Sequence, residues 1–223
     1  YGLYKGMLDN FLAEVVGMGE MDRGIMEFFR ELPGIMLVFI LAAFYMLSAE
    51  SLYKAGALIM LLGMGMNALL PATKVLATLA ICIYSLGEHI QLGMKNTLSL
   101  KYAKPGRGGA ALGAQSAMSQ IGTLVGYLVI VAAFSFLAEA QPYKLFFCIA
   151  AVLAGISAAC AMKITGKSET DATKRRFYFH KKYHKYYMLE MFYGARKQVF
   201  FTFGPYVLIL FYGANAAVIS LLF

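Results

Sequence analysis

Wound at 100° per residue, Tyr84, Glu88, Gln91, Lys95 and Ser99 fall within an arc of about 80° on one helix face. An ionisable side chain at membrane depth costs at least about 2.5 kcal/mol to insert, so a column holding Glu88 and Lys95 faces a cavity or a partner rather than lipid. Glu88 and Lys95 stand two turns apart, about 10 Å of rise, which favours sharing a cavity or a solute over pairing directly. His89 and Asn96, seven apart, flank the column. The alternative reading is a structural polar network tying this helix to the first one.

Three further groups could carry chemistry. Lys5 and Asp9 are four apart on one face and can pair, with Asp9 the deeper carboxylate and the better proton site; Asn10 and Glu14 repeat the spacing on the other side. Asp22 and Arg23 open a charged run in which Glu27 lies four after Arg23 and three before Arg30. With Glu31 this reads as an ion-pair network where the chain enters the membrane from outside. Gly109, Gly113, Ser116, Gln120, Thr123 and Tyr127 repeat at spacings of four and three, and Gly122 with Gly126 makes a GxxxG. That stripe predicts a close helix–helix seam with Gln120 reaching the cavity.

No enzyme is expected: there is no GxSxG, no HExxH and no Asp pair. His180 and His184 have the i,i+4 spacing of metal ligands, but the glutamate of HExxH is missing and Lys181, Lys182 and Lys185 surround them. Neither a metal nor a cofactor is therefore expected. Cys82, Cys148 and Cys160 sit singly in apolar runs and read as small hydrophobes.

The elements that position these residues follow from composition. The 223 residues are 60% hydrophobic and 14% charged, against about 25% charged in a soluble domain. A bilayer core about 30 Å thick needs roughly 20 apolar residues of helix. Seven segments approach this: Tyr1 to Val16, Arg23 to Leu47, Tyr53 to Leu70, Val75 to Tyr102, Gly109 to Leu137, Leu145 to Met162 and Val199 to Phe223. The short connections among the first six make sequential neighbours antiparallel. The fold class expected is all-α, a polytopic transmembrane helix bundle. Its domains are a six-helix bundle over 1–162, a basic and partly interfacial linker over 163–198, and a seventh helix over 199–223.

Charge sets the orientation. The loops after segments two, four and six hold Lys54, then Lys101, Lys104 and Arg107, then ten basic residues between Lys163 and Lys197. The other loops hold only Arg23, Lys74 and Lys144. Positive loops stay inside, so the amino end and the linker are expected in the cytoplasm, with the chain in the inner (plasma) membrane. The linker interleaves cations with rings from Lys174 to Tyr187, which fits anionic lipid headgroups rather than nucleic acid.

Six helices, a charged central loop and a new helix is the layout of the major facilitator superfamily. Gly2-Leu3-Tyr4-Lys5-Gly6-Met7-Leu8-Asp9-Asn10-Phe11-Leu12 resembles the second half of that superfamily's first helix, and Glu20 to Gly34 resembles its entry into helix two. Gly194-Ala195-Arg196-Lys197-Gln198 with Phe203-Gly204-Pro205 resembles a pattern in bacterial members. In place of the signature between helices two and three, Leu47 to Gly56 offers Glu50, Lys54 and Gly56. The helix-five Gly-Pro of drug/proton antiporters is absent. The resemblance implies a secondary transporter moving a small solute, with protons as the candidate coupling ion. Its cavity would be lined by Asp9, Tyr84, Glu88, Gln91, Lys95 and Gln120. A polar network of Lys5, Glu27, Arg30, Glu31, His89 and Asn96 would support it. It also implies that the missing second half of the chain lies beyond Phe223. A seven-helix receptor or sensor is the alternative; the inside amino end and the lysine-free last segment weigh against it.

Overall fold

The computed structural model describes residues 1–136, 142–165 and 180–222, and among them every regular element is helical. Helix α1 (Gly2–Asn10) passes into a π-helical turn over Phe11–Val15 and ends at Gly17, whose φ of +68° suits glycine. Then come α2 (Glu20–Ala43), α3 (Ala49–Leu69), α4 (Lys74–Lys101), α5 (Gly108–Phe136) and α6 (Tyr143–Met162). A 3₁₀ turn (Lys181–Tyr183) leads into α7 (His184–Tyr212), followed by α8 (Ala216–Leu222).

Helix α1 lies at the centre, which explains why it is apolar on nearly every side. Tyr4, Met7, Leu8, Phe11 and Leu12 are buried, and α4, α5, α6 and α8 surround it. Its rings interlock with those of its neighbours: Tyr4 stacks on Tyr84 at 4.5 Å and Phe11 meets Phe147 edge-on at 4.9 Å. Outward faces are aliphatic and aromatic instead. Phe28, Ile35 and Phe39 on α2, and Met118, Leu124 and Leu128 on α5, are exposed as lipid-facing positions would be.

Local chemistry sets the helix ends. Ser48 Oγ accepts from Ser51 N at 3.1 Å, and Thr73 Oγ1 from Leu76 N at 3.3 Å, capping α3 and α4. Pro71, which lacks an N–H, follows the last residues of α3. The α3–α4 hairpin is the closest pair of helices, because glycines face each other across it. A Cβ on Gly63 would lie 2.5 Å from Tyr84 N, and one on Gly87 2.5 Å from Met60 N and 2.6 Å from Gly56 O. Helix α3 runs unbroken through Gly63 and Gly65.

Four helices, α3 to α6, are long and apolar enough to cross a bilayer. The other three expected segments differ. The helix of the first segment is short and turns π-helical at Phe11. Helix α2 is 24 residues long, but carries Glu20, Asp22, Arg23, Glu27, Arg30 and Glu31 in its first half and Pro33 inside. The seventh segment is not one helix. Helix α7 starts at His184, within the expected linker, and ends at Tyr212. Gly213, at φ +64°, breaks the chain before α8. Leu137, Phe223 and the linker from 166 to 179 lie outside the described residues.

The predicted seam on α5 needs correcting too. A Cβ on Gly109, Gly113 or Gly122 would meet nothing within 4 Å, and Ser116 is exposed. The close approach is lower on the helix, where a Cβ on Gly126 would lie 2.6 Å from Leu3 N and one on Gly2 would collide with the Thr123 carbonyl. Small residues permit contact; a neighbour must still be there to make it.

Candidate functional site

Helix α4 is the wall on which the site is built. Thr73 starts it, glycine contacts press it against α3, and α5 lies on its other side. Between α1, α3, α4, α5 and α6 opens a cavity of about 630 Å³. Glu88, Gln91 and Lys95 line it from α4; Ser119, Gln120 and Thr123 line it from α5. Tyr53 and Ser157 add hydroxyls, and Met60, Met64 and Leu153 add apolar wall. Volume and mixed lining are those of a small-molecule site.

The structure thus brings Glu88, Gln91, Lys95 and Gln120 to one space. It places Tyr84 and Asp9 elsewhere. Tyr84 is buried behind the column against Tyr4, and its hydroxyl has no hydrogen-bond partner. Asp9 turns away toward α2, where Arg23 donates to its Oδ1 from Nη2 at 3.0 Å and Nε at 3.3 Å. Asp9 therefore does not pair with Lys5. The Lys5 ammonium sits over the rings of Tyr1 and Tyr84, at 5.8 and 5.9 Å. The turn at Gly17 brings the start of α2, and with it the Arg23 guanidinium, to the Asp9 carboxylate.

From Asp9 a chain of ion pairs crosses the bundle. Arg23 Nη1 meets Glu27 Oε2 at 2.6 Å, Arg30 holds both Glu27 oxygens, and Arg30 Nη2 reaches Glu31 Oε1 at 2.6 Å. Glu31 Oε2 lies 3.8 Å from His89 Nε2, so α4 closes the chain. Ser85 Oγ donates to the Arg30 carbonyl at 2.5 Å, beside the Phe29 carbonyl that Pro33 leaves without its helical donor. The local pairs read from spacing are present. The network is nevertheless buried between helices instead of forming a solvated entry, since Arg23 and Glu27 are only 5% and 6% exposed. Asn96 is exposed and takes no part. Ser99 Oγ faces Gln115 Oε1 at 3.5 Å, on the seam with α5.

Several partners could not be read from local spacing. Thr202 Oγ1 donates to Glu27 Oε1 at 2.9 Å, Tyr206 OH donates to the Met18 carbonyl at 2.7 Å, and the Tyr206 ring lies under the Arg23 guanidinium at 5.6 Å. Asn10 Nδ2 donates to Glu14 Oε1 at 2.7 Å, as its spacing predicted, and also to the Ala214 carbonyl in the α7–α8 break at 2.8 Å. Glu14 also accepts from Tyr143 OH at 2.6 Å. Ser220 Oγ donates to the Gly6 carbonyl at 2.9 Å. At the far end of α3 and α4, Glu50 Oε1 takes Lys101 Nζ at 3.0 Å and Tyr102 OH at 2.8 Å. At the other end, Lys74 Nζ bonds Asp22 Oδ2 at 2.7 Å. That bond and the Gly19 N–H hold the Asp22 carboxyl below the usual aspartate range.

No family model, no curated protein and no solved structure matches this chain.

Proposed function

We propose that this chain belongs to a secondary active transporter of the major facilitator type, moving a small solute by alternating access. In this reading α1 to α6 form the first half-bundle and α7 begins the second. The observation that carries it is the cavity among five helices, where an acid, a base and four amide or hydroxyl groups from α4 and α5 share about 630 Å³. Two features lend support. A buried ion pair links α1 to α2, and Glu31 on α2 lies 3.8 Å from His89 on α4, so polar groups tie helices together inside the bundle. The interrupted α7–α8 segment also accepts a bond from Asn10 at the end of α1, next to the π-helical turn, and broken helices recur where transporters hold solute.

The bias of basic loops puts the amino end and the linker in the cytoplasm of a cell with an inner (plasma) membrane, with the linker against anionic lipid. Protons are the coupling ion of choice, with Glu88 the carboxylate at the cavity. In proteoliposomes of the full-length protein, Glu88→Gln and Lys95→Gln should each abolish solute flux while leaving expression and elution profile intact. Full flux in both variants would overturn the assignment.

A further inference from the structure

The cavity also indicates what kind of solute it suits, an inference that rests on reading it as the transport site. Glu88, Gln91 and Lys95 form one column, with spacings of three and four residues keeping them on the same face. All three line the cavity. Elsewhere in the bundle the fold pairs its buried carboxylates: Asp9 with Arg23, Glu27 with Arg23 and Arg30, Glu50 with Lys101. Among the described residues, neither Glu88 nor Lys95 takes an ion pair within 4.0 Å. An acid and a base thus stand on one wall without a direct ion pair, both half-buried, with a neutral amide between them; the Glu88 carboxylate accepts a hydrogen bond from the Tyr1 hydroxyl at the cavity edge, and that neutral contact leaves its charge to be matched by a cation.

A desolvated charge without a partner is costly. A monovalent anion or cation entering here would satisfy one of the two and strand the other. A solute bringing both charges satisfies both, and Gln91 can exchange hydrogen bonds with a polar group midway. The column is about 10 Å long at the backbone. Side chains on a helix lean toward its amino end, and the longer lysine leans further, which brings its ammonium back toward Gln91. The charged ends of an extended dipeptide lie roughly 5–6 Å apart, against about 2.5 Å in an α-amino acid. We infer that the cavity binds a zwitterion whose ammonium and carboxylate are separated by about one peptide unit, the ammonium at Glu88, the carboxylate at Lys95 and the amide beside Gln91. Ser119, Gln120 and Thr123 on α5 hold the other side of the solute through neutral hydrogen bonds.

The test is calorimetric titration of the full-length protein in nanodiscs with three probes: L-alanyl-L-alanine, its N-acetyl derivative and its C-terminal amide. Dialanine should bind, and each derivative lacking one charge should bind at least about tenfold more weakly, as expected when a charged partner is stranded. In Glu88→Gln, dialanine and its N-acetyl form should become equivalent; in Lys95→Gln, dialanine and its amide should. Those equivalences also show that each variant is folded and competent. Equal binding of all three probes to the wild type, or no binding of dialanine at millimolar concentration, would overturn the inference. Flux measured in parallel separates the two readings. Movement of other solutes without dialanine binding rejects the zwitterion and keeps the transporter. The predicted binding pattern without movement of any solute does the reverse.

Discussion

Asp9 and Arg23 show how much a single residue's role depends on its partner across the fold. The Asp9 carboxylate is tied to a guanidinium that also holds Glu27, and all three are buried. Removing Arg23 would leave the Asp9 carboxylate without its cation and Glu27 with Arg30 alone. Arg23→Met should therefore destabilise the protein by about 3–5 kcal/mol, the range for breaking a buried pair from one side, measured by thermal unfolding in detergent. Tyr84 is the opposite case. Its buried hydroxyl has no partner, so Tyr84→Phe removes an unsatisfied group and should leave the melting temperature unchanged or slightly raised. Asp22 gives a pH dependence. A depressed carboxyl pKa stabilises the fold above the usual aspartate range, and that contribution is lost as pH falls below about 4. In a carboxyl-carbon NMR titration, the Asp22 midpoint should rise toward the ordinary value in Lys74→Met.

The α3–α4 hairpin depends on glycines for its closeness. Gly63→Ala would place a methyl 2.5 Å from the Tyr84 backbone nitrogen, where no side chain can rotate away. The cost should be about 1–3 kcal/mol, as for other overpacked sites. Gly122→Ala, with nothing within 4 Å, should be neutral in the same melt. These helices were also the most legible part of the sequence. Long apolar runs placed α3 and α4 to within four residues at every end, because hydropathy acts locally. The α4 column was legible for the same reason, since its members share one helix. Less legible was whatever needed a neighbour. The α5 stripe has small residues along its length, and only the part facing α1 became a seam. Helix α7 begins at His184 because a solvated helix continues through charged residues, so polarity marked where apolar sequence starts and not where helix starts.

For the whole molecule, the central place of α1 determines which groups can meet. It touches α4 through Tyr4 and Tyr84, α6 through Phe11 and Phe147, and α8 through Gly6 and Ser220. Asp9 is held outside the cavity because Arg23 at the start of α2 pairs with it, a tertiary fact invisible in the i,i+4 spacing with Lys5. Orientation is a prediction at this scale. In a cysteine-free background, an impermeant thiol reagent added to intact cells should label Ala72→Cys, between α3 and α4, and spare Lys104→Cys, between α4 and α5. The reverse pattern would invert the proposed topology.

The ion pairs along α2 carry a consequence for biosynthesis. A helix entering lipid alone with Arg23, Glu27 and Arg30 uncompensated would meet an insertion cost of several kcal/mol. Glu27 lies between the two arginines, and Asp9 is only 14 residues upstream, already present when α2 leaves the ribosome. The first two helices can therefore partition from the translocon as one charge-compensated unit, in which Glu31 already pairs with Arg30 and gains His89 when α4 arrives. The order of synthesis matches the order in which the charges find their partners.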